Sequence, residues 1–197
     1  DMSERVVRVI QKAWPTAAPG GLFDEVKSTA GIVRAYVNDP VRFVVVGLGM
    51  GHNRAKTVHT TPGCKLMGVC DKVEARAKRT GDECGVPYTT DVRPWLDRKD
   101  IEVVYVMTET GNHGEVAMQA LNAGKHVLST KPMEASLAVC DQEIRLADEK
   151  KLILGIDFDR RFKTDNHTLK TAIAKGRFGK LFSGTAALKI LRTMDYF

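Results

Sequence analysis

A glycine-rich turn directly after a short apolar run constrains the fold of this chain more than any other feature. The run Val41–Val46 is continuous and rich in β-branched residues, which is typical of a strand buried on both faces. Gly47, Gly49 and Gly51 follow it, and helical spacing begins immediately after them. This order of strand, glycine turn and helix predicts the first unit of a parallel α/β sheet.

The same turn is suited to binding a pyrophosphate. A helix N-terminus presents unpaired N–H groups and a partial positive charge, and glycines let the backbone approach phosphate oxygens closely. A second apolar run, residues 65–70, ends at Asp71, which lies 20 residues after Gly51. A carboxylate at that distance can accept hydrogen bonds from the ribose hydroxyls of a dinucleotide. The pattern therefore predicts a dinucleotide site, and the alternative interpretation is a purely structural turn.

The glycine pattern departs at one position from the usual G-x-G-x-x-G form. The third glycine would fall at residue 52, which is His52, and we expect Gly51 to compensate in part by permitting close helix packing. The residues of this region predicted to contact the cofactor are Gly47, Leu48, Gly49, Met50, Gly51, His52 and Asp71.

Composition excludes several classes of protein. The 197 residues have 43% hydrophobic content, and the net charge of +6 is spread among acids along the chain, which disfavours a nucleic-acid-binding surface. No apolar run approaches the roughly 20 residues of a membrane span, and the N-terminal residues show no signal-peptide pattern. Four cysteines without C-x-x-C spacing or a His/Cys pattern predict buried thiols in a reducing cytoplasm and no metal site.

Predicted strands and helices alternate from residue 41 onward, which favours a doubly wound parallel sheet with helices on both faces. Strands are expected at 42–47, 65–70, 102–107, 125–129 and 152–156, and helices at 52–61, 72–84, 113–123 and 135–149. We also expect a short helix near Trp95 and a short strand near Tyr88. Residues 1–40 precede this unit and are predicted to form a helical extension.

Polar residues follow the third long predicted strand, and ligands of such sheets gather at the carboxyl ends of the strands. Thr108 and Asn112 can bind ribose or phosphate groups there. Asn112 is equally suited to cap the next helix, and His113 can simply be an exposed residue of its first turn. The pattern leaves both alternatives open.

The fourth long strand is followed by Lys131 and Pro132. A lysine before a proline combines a rigid backbone with a mobile ammonium group, which near a nicotinamide can hydrogen-bond a substrate hydroxyl and help to move its proton. The alternative is an ordinary surface turn. Lys125 and His126, at the start of the same strand, are expected to face solvent.

Four stretches of the chain resemble the Gfo/Idh/MocA family of NAD(P)-dependent oxidoreductases. They are VVVGLGMGHNRA, GVCD, TETGNHGEVAMQALNAGKHVLSTKP and LILGIDFDRRF, within roughly residues 41–180. The resemblance implies a Rossmann-type NAD(P)-binding domain at 41–160, with a doubly wound sheet. It also implies that residues 161–197 begin a C-terminal α/β domain, which in the family has an open, largely antiparallel sheet.

The resemblance also implies roles for single residues. Lys131 occupies the lysine position of the family's Glu-Lys-Pro motif, which touches the nicotinamide and the substrate, so Lys131 is the predicted catalytic residue. Thr130 stands where the glutamate is usual and is expected beside the cofactor. Asp157 matches a position often held by Asn or Gln near the nicotinamide, and Arg160 or Arg161 is expected beside the active-site cleft.

One further segment matches the family with a departure. Thr108, Asn112 and His113 correspond to the family's Thr-Pro-Asn-x-x-His segment, with Glu109 where proline is usual. The resemblance therefore implies cofactor contacts for Thr108, Asn112 and His113.

The activity implied is hydride transfer between NAD and a secondary alcohol of a sugar or cyclitol. Asp71 favours NAD because a carboxylate repels a 2′-phosphate, whereas Lys72 and Arg76 leave NADP as an alternative. The rival hypothesis is a non-catalytic dinucleotide-binding sensor or subunit. The expected partner is a small polyol or sugar, without nucleic acid or membrane, and self-association into a homo-oligomer is an open alternative.

The last residues depart most from the family. Residues 164–175 are predicted to form the first helix of the second domain, and 181–190 its first strand. The sequence ends at Phe197, before any Asp-x-x-x-His motif of the kind that completes proton transfer in the family. We therefore expect a fragment that binds the cofactor and turns over slowly or not at all.

Overall fold

The structure of the protein is a computed structural model that describes residues 39–187 and 189–191. The predicted helical extension at 1–40 lies outside the described residues except for its last two positions. The described part is built on one sheet of six strands, and every strand pair in it is parallel. Helices cover both faces, which confirms the predicted doubly wound α/β fold.

The strands are β1 (Val41–Val46), β2 (Cys64–Cys70), β3 (Tyr88–Thr89), β4 (Val103–Val106), β5 (His126–Thr130) and β6 (Leu154–Asp157). Their order across the sheet is β3-β2-β1-β4-β5-β6. The chain moves outward from β1 to β3, returns to the other side of β1, and moves outward again from β4 to β6. This reversal leaves a crevice between the loops that follow β1 and β4, which is where doubly wound sheets bind their ligands.

The helices are α1 (Gly51–Thr60), α2 (Glu74–Cys84), α3 (Arg93–Leu96), α4 (His113–Asn122), α5 (Leu137–Glu149) and α6 (Thr164–Ala174), with a 3₁₀ turn at Asp159–Phe162. Successive side chains of β1 enter different apolar layers, because strand side chains alternate between the two faces. Val45 packs in one layer with Ala55 of α1 and Ala77 of α2. Val44 packs in the other layer with Ala117 of α4 and Ala147 of α5. The sheet therefore has a core on each face.

Two residues predicted to face solvent are instead buried. Lys125 is 6% exposed, and its Nζ donates hydrogen bonds to the carbonyl oxygens of Arg98 (2.6 Å) and Ile101 (3.1 Å). His126 is 5% exposed, and its Nδ1 accepts a hydrogen bond of 3.0 Å from the backbone N–H of Ile153. The prediction was wrong because the groups that satisfy these side chains come from segments distant along the chain.

The strand predicted at 181–190 is also absent from the part of that segment that the structure describes, residues 181–187, 189 and 190. A strand requires hydrogen bonds to a neighbouring strand, and among the described residues nothing pairs with this segment. The helix predicted before it is present as α6, on which Leu169 and Ile173 are exposed.

Candidate functional site

The turn after β1 depends on a glycine at its first position. Gly47 has φ +90°, and a Cβ there would lie 2.5 Å from the carbonyl carbon of Met107 and from the backbone nitrogen of Thr108. The ends of β1 and β4 therefore approach each other more closely than any side chain permits. This contact positions the turn at the crevice of the sheet.

The second and third glycines of the turn have different surroundings. No described atom outside its own neighbours lies within 4 Å of a Cβ built on Gly49, so the backbone at this position borders open space. A Cβ on Gly51 would lie 2.8 Å from the Cβ of Met107. Gly51 therefore provides the close helix packing that the usual third glycine provides, one position earlier than the G-x-G-x-x-G form has it.

His52 turns its side chain toward α2. Its Nδ1 lies 3.0 Å from the hydroxyl of Thr80, and its Nε2 lies 3.5 Å from a carboxylate oxygen of Glu83. The imidazole therefore leaves the glycine turn open. The site prediction gave this residue a cofactor contact, and the structure shows a side chain that joins α1 to α2.

Asp71 lies at the carboxyl end of β2 and holds the glycine turn. Its Oδ2 accepts a hydrogen bond of 2.6 Å from the backbone N–H of Leu48, and its Oδ1 accepts one of 2.8 Å from that of Val73. The carboxylate is 7% exposed. Each oxygen has a further lone pair, so the group can still accept hydrogen bonds from a ligand.

A cavity of about 860 Å³ opens between these loops, within the range of roughly 300–1,000 Å³ typical of small-molecule sites. Seven predicted site residues line it, namely Gly47, Leu48, Gly49, Met50, Asp71, Thr108 and Asn112. The other six, Gly51, His52, His113, Thr130, Lys131 and Asp157, are not among its described lining residues. The structure thus brings the glycine turn, Asp71 and the end of β4 together.

Polar groups at the cavity wall are available to a ligand. The Thr108 hydroxyl is buried and has no hydrogen-bond partner among the described residues. Asn112 precedes α4, where no described side chain caps the helix, and its amide donates instead to the Glu109 carboxylate. The start of α1 likewise has no described side-chain cap. These groups and the open backbone at Gly49 fit the phosphates and ribose of a dinucleotide.

His113 is buried rather than exposed in the first turn of α4, which excludes one of the alternatives left open. Its side chain is 1% exposed. Nδ1 lies 2.8 Å from the carbonyl oxygen of Pro132, and Nε2 lies 2.8 Å from that of Thr108. The ring therefore links the ends of β4 and β5.

Thr130 and Lys131 differ in burial although they are adjacent. Thr130, the last residue of β5, is 7% exposed, whereas Lys131 is exposed. The Lys131–Pro132 peptide bond is cis. The predicted catalytic residue therefore follows the carboxyl end of β5 and is not among the described residues that line the cavity.

Asp157 ends β6 in a polar cluster. It is 6% exposed, accepts a hydrogen bond from the hydroxyl of Tyr105, and lies 3.1 Å from Nη2 of Arg54. The same guanidinium nitrogen lies 3.1 Å from Asp159. Burial, and then the negative charge of Asp157, raise the pKa of the Tyr105 hydroxyl, so this tyrosine stays a hydrogen-bond donor.

Sequence reasoning missed several residues of the site. Arg54 and Tyr105 gave little signal, although a single tyrosine within the apolar run VVYVM is unusual enough to suggest a buried partner. The connection between β3 and α3 also lines the cavity, through Thr90, Asp91 and Arg93. It was missed because β3 has only two residues, and its place beside β2 follows from the sheet order.

Two kinds of feature do not occur among the described residues. No group of three or more His, Cys, Asp or Glu side chains in this part of the chain is placed to hold a metal ion. Within the same residues, no helix combines the length and apolar character needed to cross a membrane.

Comparisons with known proteins agree with this geometry. The model of the GFO_IDH_MocA oxidoreductase family, described as having an NAD-binding Rossmann fold, matches residues 41–158. Inositol 2-dehydrogenase of Salmonella paratyphi B is 32% identical over 142 residues, covering 69% of this chain and 42% of that protein. The scyllo-inositol 2-dehydrogenase (NAD(+)) of Bacillus subtilis is 32% identical over 143 residues, covering 71% and 42%.

A solved structure gives the same result. The crystal structure of myo-inositol 2-dehydrogenase from Lactobacillus plantarum matches with a TM-score of 0.68 and 25% identity, covering 72% of this chain and 43% of that one. The chain thus spans about 42% of the length of the curated relatives named above.

Proposed function

The chain belongs to the Gfo/Idh/MocA family of oxidoreductases with an NAD-binding Rossmann fold, and from this premise we propose that it is the cofactor-binding part of a dehydrogenase. The substrate is a secondary alcohol of a cyclitol or sugar. The observation that carries the proposal is the convergence of Gly49, Asp71 and Thr108 on one cavity. The relatives named inositol 2-dehydrogenase favour a cyclitol over other polyols.

The residues of the cavity have separate roles in holding the dinucleotide. Open backbone at Gly49 and uncapped N–H groups at the start of α1 hold the pyrophosphate. Asp71 accepts hydrogen bonds from the adenosine ribose while it keeps the turn in place through Leu48. The buried hydroxyl of Thr108 finds in the ligand the partner that the described residues do not provide.

Cofactor preference follows from the charges at the same wall. The Asp71 carboxylate lies where a 2′-phosphate would be repelled, so NAD binds more tightly than NADP. Lys72 and Arg76 line the cavity beside it and supply positive charge, so NADP is bound as well, with lower affinity. Arg93 contributes less, since its guanidinium is engaged by Asp91 at 2.7 Å.

Lys131 acts at the reacting end of the site. NAD held there would supply the hydride acceptor at the carbon that bears the hydroxyl, or the hydride donor in the reverse direction. The amine of Lys131 binds the hydroxyl oxygen of the substrate and assists removal or return of its proton. Thr130 replaces the acid usual in this motif and contributes a hydroxyl at the cofactor instead. Asp157, through Arg54 and Tyr105, keeps the end of β6 in place near this position.

A specific observation also favours the second candidate, a non-catalytic dinucleotide-binding sensor or subunit. Lys131 is exposed and is not among the described residues that line the cavity. The residue directly before it is Thr130 and not an acid. A binding module needs only the glycine turn and Asp71, both of which line the cavity. The two candidates differ in whether Lys131 is needed for turnover.

Binding is tested by thermal unfolding of the 197-residue chain with NAD, NADP, ADP-ribose and nicotinamide mononucleotide. We expect stabilisation by NAD and ADP-ribose, a smaller effect of NADP, and little effect of the mononucleotide. If no dinucleotide changes the unfolding temperature, both candidate functions are wrong.

Catalysis is tested by reduction of NAD in the presence of a panel of inositols and sugars, with the chain as it is and with any longer form of the protein. Lys131→Ala is expected to abolish turnover and leave NAD binding intact, and Lys99→Ala is the matched control at an exposed lysine. Turnover that persists in Lys131→Ala contradicts the assigned role. Binding without turnover in any form favours the sensor.

The proposal also covers the division into domains, the cellular compartment and self-association. Residues 41–160 form the cofactor-binding domain and 161–197 begin a second domain, and this division is supported by the family match, which ends at residue 158. Four free cysteines favour the cytoplasm. The exposed apolar residues of α6, Leu169 and Ile173, favour self-association into a homo-oligomer.

A further inference from the structure

The buried imidazole of His113 has a hydrogen-bond arrangement that a neutral ring cannot satisfy. Both ring nitrogens lie 2.8 Å from carbonyl oxygens, Nδ1 from that of Pro132 and Nε2 from that of Thr108. Carbonyl oxygens only accept, whereas a neutral imidazole has one N–H donor and one bare nitrogen. In the neutral ring, one contact would therefore place lone pair against lone pair in a site that is 1% exposed to solvent.

We infer that His113 is a doubly protonated imidazolium that ties the turn carrying Lys131 to the end of β4, and so acts as a positioning residue for proton transfer. Both of its N–H groups then donate to carbonyl oxygens. The positioning role rests on the proposed function of Lys131, whereas the protonation state does not depend on it.

Carboxylates of the neighbouring elements compensate the charge. Glu134, in the turn after β5, accepts a hydrogen bond of 2.8 Å from the backbone N–H of Gly114, next to His113. Hydrogen bonds from Ala135 and Gly114, and then the charge of His113, lower the pKa of Glu134. These negative charges offset the unfavourable position of a cation at the first turn of α4.

Two further acids face the same region. Glu109, after β4, has a lowered pKa because of its own backbone N–H, then the Asn112 amide, and then Lys72 and His113. Glu143 of α5 and Glu134 each place a carboxylate oxygen 3.1 Å from the position of a Cβ on Gly114. Burial and the charge of Glu134 raise its pKa to about 7, so it contributes less negative charge than an ordinary glutamate.

The two carbonyl groups connect different parts of the site. Thr108 lines the cavity with its hydroxyl, and Pro132 directly follows Lys131. A single buried side chain therefore holds the backbone next to Lys131 against the backbone of a residue that lines the cavity. A displacement of about 1 Å at a reacting group can lower a rate by about a hundredfold, so this link bears on the reaction and on the fold.

The protonation state is tested in the 197-residue chain by ¹⁵N spectra of the histidine ring nitrogens at pH 7.5. We expect both nitrogens of His113 to carry hydrogen, and the exposed His59 serves as the control in the same sample. A bare ring nitrogen on His113 overturns the inference. No variant is needed, and the result is independent of cofactor binding and turnover.

The positioning role is tested with His113→Gln, which places both side-chain N–H donors on one nitrogen instead of on two separate ring nitrogens. Lysine amines are labelled by ¹³C reductive methylation, and we expect a shifted Lys131 signal and an unchanged Lys99 signal. An unchanged Lys131 signal overturns the positioning role.

A second measurement covers the case in which His113→Gln does not fold. In the wild-type chain, the Lys131 signal must then change with the same titration midpoint as the His113 nitrogens. An independent midpoint overturns the link. Failure of the proposed function is seen in a different experiment, as turnover that persists in Lys131→Ala. That result does not alter the His113 ring-nitrogen spectrum or the Lys131 amine spectrum of the wild-type chain.

Discussion

The carboxylate of Asp71 accepts a hydrogen bond of 2.6 Å from the backbone N–H of Leu48, in the middle of the glycine turn. Leu48 is buried, so this N–H has no access to water and depends on the carboxylate. The residue that was expected only to bind ribose therefore also holds the loop that we propose binds the pyrophosphate. A substitution of Asp71 is therefore expected to change both NAD binding and the stability of the fold.

Asp71→Asn is expected to lower both the affinity for NAD and the free energy of unfolding. The amide NH₂ must face the N–H of either Leu48 or Val73, and leaving a buried group unsatisfied costs about 1–3 kcal/mol. NAD affinity is expected to fall about tenfold or more, since a hydrogen bond to a charged group contributes about 1.5–3 kcal/mol. Calorimetric titration and urea unfolding measure the two effects. Asp148→Asn, at an exposed position on α5, is the control, and wild-type affinity in Asp71→Asn would refute the ribose contact.

Gly47 and Gly49 make a matched pair for the turn. Gly47→Ala places a Cβ 2.5 Å from the backbone at Met107, at φ +90°, and is expected to lower the free energy of unfolding by about 3 kcal/mol or more. Gly49→Ala meets no described atom within 4 Å, so we expect wild-type stability and an NAD affinity reduced about tenfold, which corresponds to about 1.4 kcal/mol. Unfolding curves and NAD titrations of both variants test this contrast. Equal effects of the two changes on both quantities would contradict it.

Gly68→Ala is expected to destabilise the sheet without touching the cavity. A Cβ on Gly68 in β2 would lie 2.0 Å from Cη2 of Trp95, whose indole N–H donates to the Thr89 hydroxyl at 2.6 Å. The overpacking is expected to cost about 1–3 kcal/mol, toward the upper end because the indole is anchored. Chemical unfolding gives the value. Gly155→Ala is the control, because its Cβ would be 3.5 Å from the nearest atom, and a similar loss there would show that any strand alanine has this effect.

Glu143 is expected to make stability depend on pH. It is fully buried, neither carboxylate oxygen has a partner among the described residues, and burial followed by the charge of Glu134 raises its pKa from 4.5 to about 7. Because the unfolded chain releases this proton near its ordinary pKa and the folded chain near 7, the free energy of unfolding falls as pH rises through this interval. The full loss is on the order of 3 kcal/mol and is complete about one pH unit above the pKa of the folded state.

Glu143→Gln tests this, because the amide has a similar shape and never ionises. We expect the variant to resemble the wild type near pH 4.5 and to exceed its stability at pH 8, measured by urea unfolding at both values. Glu149→Gln, on the exposed face of the same helix, is expected to show no such trend. A stability difference between Glu143→Gln and wild type that does not change with pH would count against ionisation of Glu143.

The part of the candidate site that lines the cavity was predictable from local pattern. Gly47, Gly49 and Asp71 lie on consecutive elements, β1, the turn and β2, so their proximity follows from one strand-helix-strand unit. Thr108 could be placed because any residue just after a parallel strand faces the same edge of the sheet. Gly51 was assigned in part to helix packing, and its close approach to Met107 agrees with that.

The side chains of His52, Lys125 and Asp157 were not predictable in this way. His52 contacts Thr80 and Glu83 on a different helix, Lys125 caps carbonyl groups after α3, and Asp157 binds Arg54 and Tyr105 from α1 and β4. A role was predicted for each of these residues from its position in the sequence, whereas its hydrogen-bond or ion-pair partners lie on segments distant along the chain.

The sequence by itself determined the alternation of strands and helices, the glycine turn and the acid that follows the second strand, because these depend on periodicity and backbone freedom within a few residues. Only the tertiary structure decided where polar side chains point and which of them are satisfied. Its reason is physical: a buried polar group must find a partner, and in a sheet ordered β3-β2-β1-β4-β5-β6 the nearest partner is usually on an element that the chain reaches much later. His113 is the clearest case, since the two carbonyl groups that its ring nitrogens contact follow two different strands.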